Sequence, residues 1–182
     1  MELQNEVSVQ GGDMGQTEGK FLTFWTAEQL FAISIDNVEQ IVGLQEITQV
    51  PDSPAYARGI INLRGNIIPV IDMRLRLNKD EGAYTDRTCI IITKVYGDLF
   101  SFIVDGVDEV TDIPADRISQ PPQMGAESAN EYIDGVARLP AGEGKDDKIV
   151  LLLDITKILP EQEFCCLEAC LALREGQGKT QW

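Results

Sequence analysis

The chain has 182 residues, a length typical of one domain or of two small lobes sharing a core, and its 43% hydrophobic content suffices for a packed interior. A formal charge of −15 disfavours binding to nucleic-acid backbones or anionic lipid surfaces. The sequence contains no histidine, which removes the commonest general base and metal ligand and any phosphorylation of its own imidazole.

The two ends of the chain differ from its central part. Residues 1–19 are polar and acidic without an apolar segment, which predicts a flexible tail rather than a secretory signal. No run approaches the roughly 20 apolar residues of a membrane helix, so we expect a cytoplasmic protein without membrane insertion. Residues 20–160 form the predicted folded domain. Residues 161–182 are predicted to form a C-terminal helix and a polar tail, because Phe164, Leu167 and Leu171 recur at helical spacing.

The central part is predicted to consist of short strands. Apolar and β-branched runs separated by Gly, Asn and Asp are typical of β-hairpins. The predicted strands are residues 21–26, 30–35, 59–63, 67–71, 88–95, 99–104, 133–139 and 148–153. Asp72 and Asp154 each follow a strand and are expected to cap a short helix. Pro69 lies inside a strand run, which predicts an edge strand or a bulge because proline lacks the N–H.

An internal repeat relates the two halves of this domain. Residues 30–41 align without a gap on residues 99–110, and the later segments 67–72 and 149–154 also correspond. Each copy holds about five short strands, the number that closes a small barrel. The repeat therefore predicts two similar β-barrels packed together, at about residues 20–87 and 88–160.

No catalytic pattern is found in the sequence. It has no phosphate-binding Gly-rich loop, no dinucleotide fingerprint and no nucleophile elbow. Acidic pairs such as Asp108 with Glu109 are typical of solvated surface. We therefore predict neither catalysis nor a cofactor.

The four cysteines leave a weaker alternative open. Cys89 lies in an apolar strand and is interpreted as a small buried side chain. Cys165, Cys166 and Cys170 match no common zinc or redox spacing, which favours free thiols and no metal. A thiol or metal-binding protein remains the alternative from another functional class.

Two segments are candidates for binding a partner. Arg64, at a hairpin apex before Gly65, is either an exposed turn residue or a guanidinium held for a partner or for the facing lobe, whereas Gly65 is expected to supply a positive φ. Val38 and Ile41 are apolar at helical spacing, as expected for a core-facing turn or for a hydrophobic lip of a groove that takes an amphipathic helix. Val107, in the second repeat, would line the same junction.

One long motif resembles a known family. Residues 59–74 read Gly-Ile-Ile-Asn-Leu-Arg-Gly-Asn-Ile-Ile-Pro-Val-Ile-Asp-Met-Arg, similar to the CheW-like signature Gly-x-x-Asn-Leu-Arg-Gly-x-Ile-x-Pro-x-x-Asp-Leu-Arg. The likeness extends from about residue 21 to residue 160 and leaves out both tails. It implies an all-β fold of two interleaved five-stranded SH3-like β-barrels with short helices.

The resemblance also implies a function and a set of contact residues. CheW-like proteins are non-catalytic scaffolds of chemotaxis signal transduction. They bind the cytoplasmic tip of methyl-accepting chemoreceptors and the regulatory domain of the histidine kinase CheA, in arrays at the membrane. The residues placed at the receptor contact are Val38, Ile41, Gly59, Arg64 and Val107, with Gly65 as a structural turn.

Some features stay open at the level of sequence. The family often has an acidic residue that can pair with the arginine matching Arg64; here Gln40 stands at that position and the acid is at Glu39. The chain could serve a non-flagellar chemosensory system, such as surface motility or second-messenger control. It could also be a fragment of a larger signalling protein.

Overall fold

The computed structural model describes residues 19–95, 97–121 and 132–158. The strands are β1 (Gly19–Thr26), β2 (Gln29–Ser34), β3 (Val38–Gly43), β4 (Ala57–Leu63), β5 (Asn66–Asp72), β6 (Cys89–Val95), β7 (Asp98–Val104), β8 (Gly106–Ile113), β9 (Ile118–Ser119), β10 (Ile133–Leu139) and β11 (Lys148–Leu153). The single-turn helices are α1 (Met73–Arg76) and α2 (Ile155–Ile158). The predicted all-β class is confirmed, whereas the predicted N-terminal tail up to residue 18 and the C-terminal helix lie outside the described residues.

The strands form two sheets, and each sheet takes strands from both repeats. One sheet has six strands in the order β8-β1-β2-β11-β10-β9, and the other has five in the order β3-β6-β7-β5-β4. The first two strands of each repeat thus join the remaining strands of the other repeat. The sheets are interleaved, so neither of them corresponds to one contiguous half of the sequence.

The strand register repeats together with the topology. Both copies have an antiparallel ladder with a bulge at the same place and a parallel ladder in the same register. The equivalent pairs are Val107–Phe24 and Val38–Thr93 in the antiparallel ladders, and Leu152–Ala32 and Val70–Ser101 in the parallel ladders. The internal repeat is therefore a pseudo-symmetry of the structure.

Both faces of several strands are buried. One face of each sheet lines that sheet's own core, and the other face lines a third core between the sheets, which we call the inter-sheet core. On β1, Phe21 belongs to the core of the six-stranded sheet, whereas Leu22 and Phe24 belong to the inter-sheet core. Phe100 and Phe102 of β7 meet them there from the five-stranded sheet. Because neighbouring side chains point to opposite faces, the two sheets are fused through shared strands.

One local prediction was wrong, and one of the two alternatives for Pro69 is excluded. The segment around Val38 and Ile41 is the strand β3 and not a helical turn: Val38, Gln40 and Val42 are half-buried and Ile41 is exposed. Pro69 does not lie on an edge, because β5 pairs with both β4 and β7, but the β4–β5 ladder has a register shift between Ala57 and Gly59, close to Pro69.

Pro69 lies at a position of β5 where the lack of an N–H costs no ladder hydrogen bond. Its partner across the β4 ladder is Ile60, whose N–H and carbonyl are both bonded to Thr48 on the other side. The parallel pairing of β5 with β7 begins one residue later, at Val70. A missing N–H at position 69 therefore breaks no ladder bond.

The predicted caps and hairpin turn are present. Asp72 accepts a hydrogen bond from the N–H of Arg74 at 2.9 Å, and Asp154 accepts one from the N–H of Thr156 at 3.0 Å. Arg64 and Gly65 form a two-residue turn with φ of 52° and 86°, which matches the strand twist of a β-hairpin.

Arg76 joins the two repeats through a buried guanidinium. Its Cζ lies 4.8 Å from the ring centroid of Tyr56 and 4.6 Å from that of Tyr132, so the cation is held between two aromatic rings. Its Nε donates to the carbonyl oxygen of Ile158 at 2.7 Å, at the end of α2. The side chain thus ties α1 to α2 across the pseudo-symmetry.

We expect Arg76→Ala to lower the free energy of unfolding by about 2–3 kcal/mol, because it removes two cation–π contacts and the hydrogen bond to the carbonyl oxygen of Ile158. Arg76→Lys should recover only part of this loss, because an ammonium lacks the planar stacking surface. Urea unfolding measures the effect, with the exposed Arg138→Ala as control, expected within about 0.5 kcal/mol of the unsubstituted chain. Equal stability of the two alanine variants would contradict this role.

Candidate functional site

The junction of the two sheets carries two of the predicted contact residues. Val38 at the start of β3 and Val107 at the start of β8 are equivalent in the repeat, and both are half-buried against the inter-sheet core. Ile41 lies further along β3 with 42% of its surface exposed, and its repeat mate Val110 is 52% exposed. Apolar groups therefore lie at the surface of both β3 and β8.

A cavity opens beside Val107. It has a volume of about 640 Å³ and is lined by Trp25, Glu28, Arg87, Cys89, Asp105, Gly106, Val107 and Asp108. Trp25, Cys89 and Val107 supply apolar surface, and carboxylates outnumber the single guanidinium. Such a concave, partly apolar surface suits the side chain of a partner protein.

Cys89 is a half-buried part of this wall. Burial raises the pKa of its thiol, and the backbone N–H of Val107, which donates to the sulfur, offsets part of that rise. Cys89 is therefore a protonated thiol at neutral pH, which is poorly nucleophilic. The sequence predicted a buried side chain, whereas the structure leaves Cys89 half-buried.

Arg74 and Asp105 form an ion pair next to the cavity. The Arg74 Nε donates to both carboxylate oxygens at 2.8 and 3.0 Å, and Nη2 donates to Oδ2 at 2.5 Å. This bond to Asp105 raises the pKa of the Arg74 guanidinium. The N–H of Ala27 also donates to Asp105 Oδ2, at 2.8 Å.

A second charged cluster lies at the start of α1, around its N-cap Asp72. Arg58 pairs with the buried Asp72, whose Oδ2 lies 3.4 Å from Nε, and with the exposed Glu81. Tyr84 donates to the same Asp72 oxygen at 3.3 Å, and burial raises the pKa of this phenol. These carboxylates already have cationic or hydrogen-bonding partners, which is typical of a structural cluster.

Gly59 is buried and closely approached by another segment. A Cβ at this position would lie 2.1 Å from the carbonyl oxygen of Thr48 and 3.0 Å from Cγ2 of Ile47, and its φ is 145°. Gly59 can therefore affect a partner only through the shape of its hairpin. Its repeat mate Gly135 is crowded in the same way, by Ile118.

Arg64 lies apart from the valines, at the exposed tip of the β4–β5 hairpin. Its side chain makes no ion pair with any residue in the three described segments, Glu39 included. Gly65 has open space around its α-carbon, so its positive φ alone explains the glycine. In the structure, Val38 and Val107 thus pack against the same inter-sheet core, whereas Arg64 lies apart from them at the tip of the β4–β5 hairpin.

Sequence reasoning missed the ion pair of Arg74 with Asp105 and the cavity wall formed by Trp25. Arg74 and Asp105 are 31 residues apart, and no local pattern links them. Each of the two residues belongs to a segment that resembles the family, and this was the only sequence feature that could have pointed to them. No sequence feature pointed to Trp25.

The described residues contain no group of three or more Cys, Asp or Glu side chains arranged to hold a metal ion, and Cys165, Cys166 and Cys170 lie outside them. None of their helices is long and apolar enough to cross a membrane.

Two interleaved, pseudo-symmetric β-sheets with an apolar junction define a class of paired SH3-like barrels. The family model of the CheW-like domain matches residues 20–163, so the chain belongs to the CheW-like family. The predicted family and fold class are thereby confirmed.

Relatives and a solved structure agree with this assignment. The chain is 29% identical to the chemotaxis protein CheW of Klebsiella aerogenes over 155 residues, which cover 85% of this chain and 90% of that protein. It is 31% identical to the chemotaxis protein CheW of Thermotoga maritima, over 79% of this chain and 89% of the relative. The crystal structure of the scaffolding protein TtCheW from Thermoanaerobacter tengcongensis superposes with a TM-score of 0.69 at 31% identity, covering 81% of this chain and 96% of that one.

Proposed function

We propose that this chain is a non-catalytic adaptor that couples chemoreceptors to the histidine kinase CheA. The proposal is supported mainly by the match of residues 20–163 to the CheW-like domain. Relatives named chemotaxis protein CheW and a structural neighbour described as a scaffolding protein agree with it. The folded domain would span residues 20–160, with a tail on either side. The protein would act in the cytoplasm, recruited to receptor arrays at the membrane.

The proposed receptor contact is the sheet junction. Receptor tips are helical hairpins, and a helix packs its apolar stripe into a groove with apolar walls. Val38, Ile41 and Val107 supply apolar surface at this junction, and Arg64 would reach the receptor from the hairpin tip. Gly59 would contribute by allowing the close approach of the segment around Thr48.

The proposed kinase contact uses the ends of the barrels, at positions related by the pseudo-symmetry. An adaptor needs two separate contacts, each weak by itself, which become strong when many copies are tethered in one array. A change in the receptor would affect the kinase only if it changed the free energy of the adaptor's contact with one of the two partners.

We expect Val107→Asp to weaken binding of the receptor-tip hairpin by about tenfold or more, because a carboxylate would replace apolar contact area at the centre of the interface. Calorimetric titration of a hairpin from a cognate receptor into the full chain measures this. Ile149→Asp is the matched control, since Ile149 is 60% exposed and does not pack against the inter-sheet core. If both variants and the unsubstituted chain bind the hairpin equally well, Val107 is not part of the receptor contact. If the unsubstituted chain does not bind the hairpin, the proposed adaptor function is refuted.

A further inference from the structure

Asp105 joins three elements at one carboxylate. It is the residue between β7 and β8, it forms a bidentate pair with Arg74 of α1 through Nε to Oδ1 and Nη2 to Oδ2, and it also accepts a hydrogen bond from the N–H of Ala27 in the β1–β2 turn. Its own N–H donates to the carbonyl of Trp25 at 2.9 Å. A bidentate guanidinium–carboxylate pair fixes orientation as well as distance.

The turn held in this way leads directly into the proposed receptor contact. Gly106 and Val107 follow Asp105, and these three residues with Trp25 line one wall of the cavity. The side chains of Arg74 and Asp105 are only 23% and 26% exposed, so water screens their attraction less than it would on an open surface. Rotation of this turn would therefore require breaking a partly shielded ion pair.

The pseudo-symmetric position has no such pair. The residue equivalent to Asp105 is Asp36, which is exposed and forms no ion pair with any described residue. The residue equivalent to Arg74 is Thr156, whose hydroxyl donates to Asp154 at 2.5 Å. Of the two valines that the repeat places at the junction, only Val107 follows a turn anchored by an ion pair.

We propose that Arg74 is a positioning residue that acts through Asp105 to pre-organise the Val107 side of the receptor contact. A pseudo-symmetric junction would offer a partner helix two nearly equivalent orientations, and anchoring one side makes the two orientations unequal in free energy. A pre-organised surface binds more tightly because it loses less conformational freedom on association. This inference rests on the proposed adaptor function and deepens it.

The first test compares Arg74→Gln with Arg58→Gln in the full chain. Arg58 is 27% exposed and also ion-paired, but to Asp72 and Glu81 and not to Asp105, so it controls for the loss of a charge and for general stability. We expect Arg74→Gln to weaken receptor-tip hairpin binding by about tenfold, within the range of coupling between linked sites, and to leave affinity for the CheA regulatory domain unchanged. Arg58→Gln should change neither affinity.

A second variant keeps both charges. A Cβ at Gly82 would lie 1.3 Å from Nη1 of Arg74, so Gly82→Ala should displace the guanidinium from Asp105. It should reproduce the selective loss of receptor affinity, and in both variants the amide of Val107 should exchange with deuterium about tenfold faster.

The outcomes separate the inference from the function. If the unsubstituted chain binds the hairpin and Arg74→Gln binds it equally well, or loses both partners alike, the positioning role is refuted and the adaptor function stands. If the unsubstituted chain does not bind the hairpin, the receptor half of the function fails, and the inference fails with it.

Discussion

The two halves of the folded domain, expressed separately as residues 1–87 and 88–182, are expected not to fold as monomers. In the first half, β1 and β2 would lose β8 and β11, and β3 and β5 would lose β6 and β7. What remains is mainly two separate hairpins, and an isolated hairpin is at best marginally stable in water. The inter-sheet core, which draws side chains from both halves, could not form.

Circular dichroism and thermal unfolding measure this result. Each half alone should lack a cooperative transition, whereas an equimolar mixture should regain β-sheet signal and a single transition. The intact chain is the control. A half-chain that is monomeric and unfolds cooperatively would contradict the interleaved topology.

Gly59→Ala is expected to lower the free energy of unfolding by about 4 kcal/mol, the sum of backbone strain at a positive φ and overpacking against neighbouring backbone. The added Cβ would lie 2.1 Å from the carbonyl oxygen of Thr48, and relief would require moving a segment that is hydrogen-bonded to β4. Urea unfolding at fixed pH measures the change.

Gly65→Ala is the matched control for this substitution. Gly65 also has a positive φ, 86°, but its α-carbon faces open space, so only the backbone term of about 1 kcal/mol applies. A similar small loss in both variants would show that the close approach at Gly59 is not what requires glycine there.

The strands could be predicted from the sequence because most hairpins have clear turn residues. The predicted strands 133–139 and 148–153 coincide with β10 and β11, and the Arg64–Gly65 turn lies where the sequence placed it. The segment around Val38 was misassigned because burial alternates along β3 whereas polarity does not: the polar Gln40 is half-buried and the apolar Ile41 is exposed. Apolar residues at 38, 41 and 42 therefore have the spacing of a helical turn.

The pairing of the repeats could not be predicted from the repeat alone. Two equal copies are compatible with two separate barrels and with exchanged strands, and the family resemblance rather than residue spacing implied the exchange. Runs such as Leu30 to Ile33 are buried on both faces, as expected for a strand that two cores share. A short apolar run does not show, however, which residues pack against each face.

The repeat predicted where two of the candidate contact residues lie. Val38 and Val107 were placed at one junction because the repeat makes them equivalent, and both contact the inter-sheet core. The anchoring of Val107 through Asp105 depends on a contact between distant parts of the chain. The role of each of these residues in binding stays a prediction.

The most direct test of the adaptor function is whether both partners bind one chain at once. Receptor-tip hairpin would be titrated calorimetrically into the chain saturated with the CheA regulatory domain, and the product sized by light scattering. The proposed function predicts a complex containing all three components, with hairpin affinity within about threefold of that for the free chain, since separate contacts need not compete. Displacement of the kinase domain by the hairpin, or binding of only one partner, would contradict it.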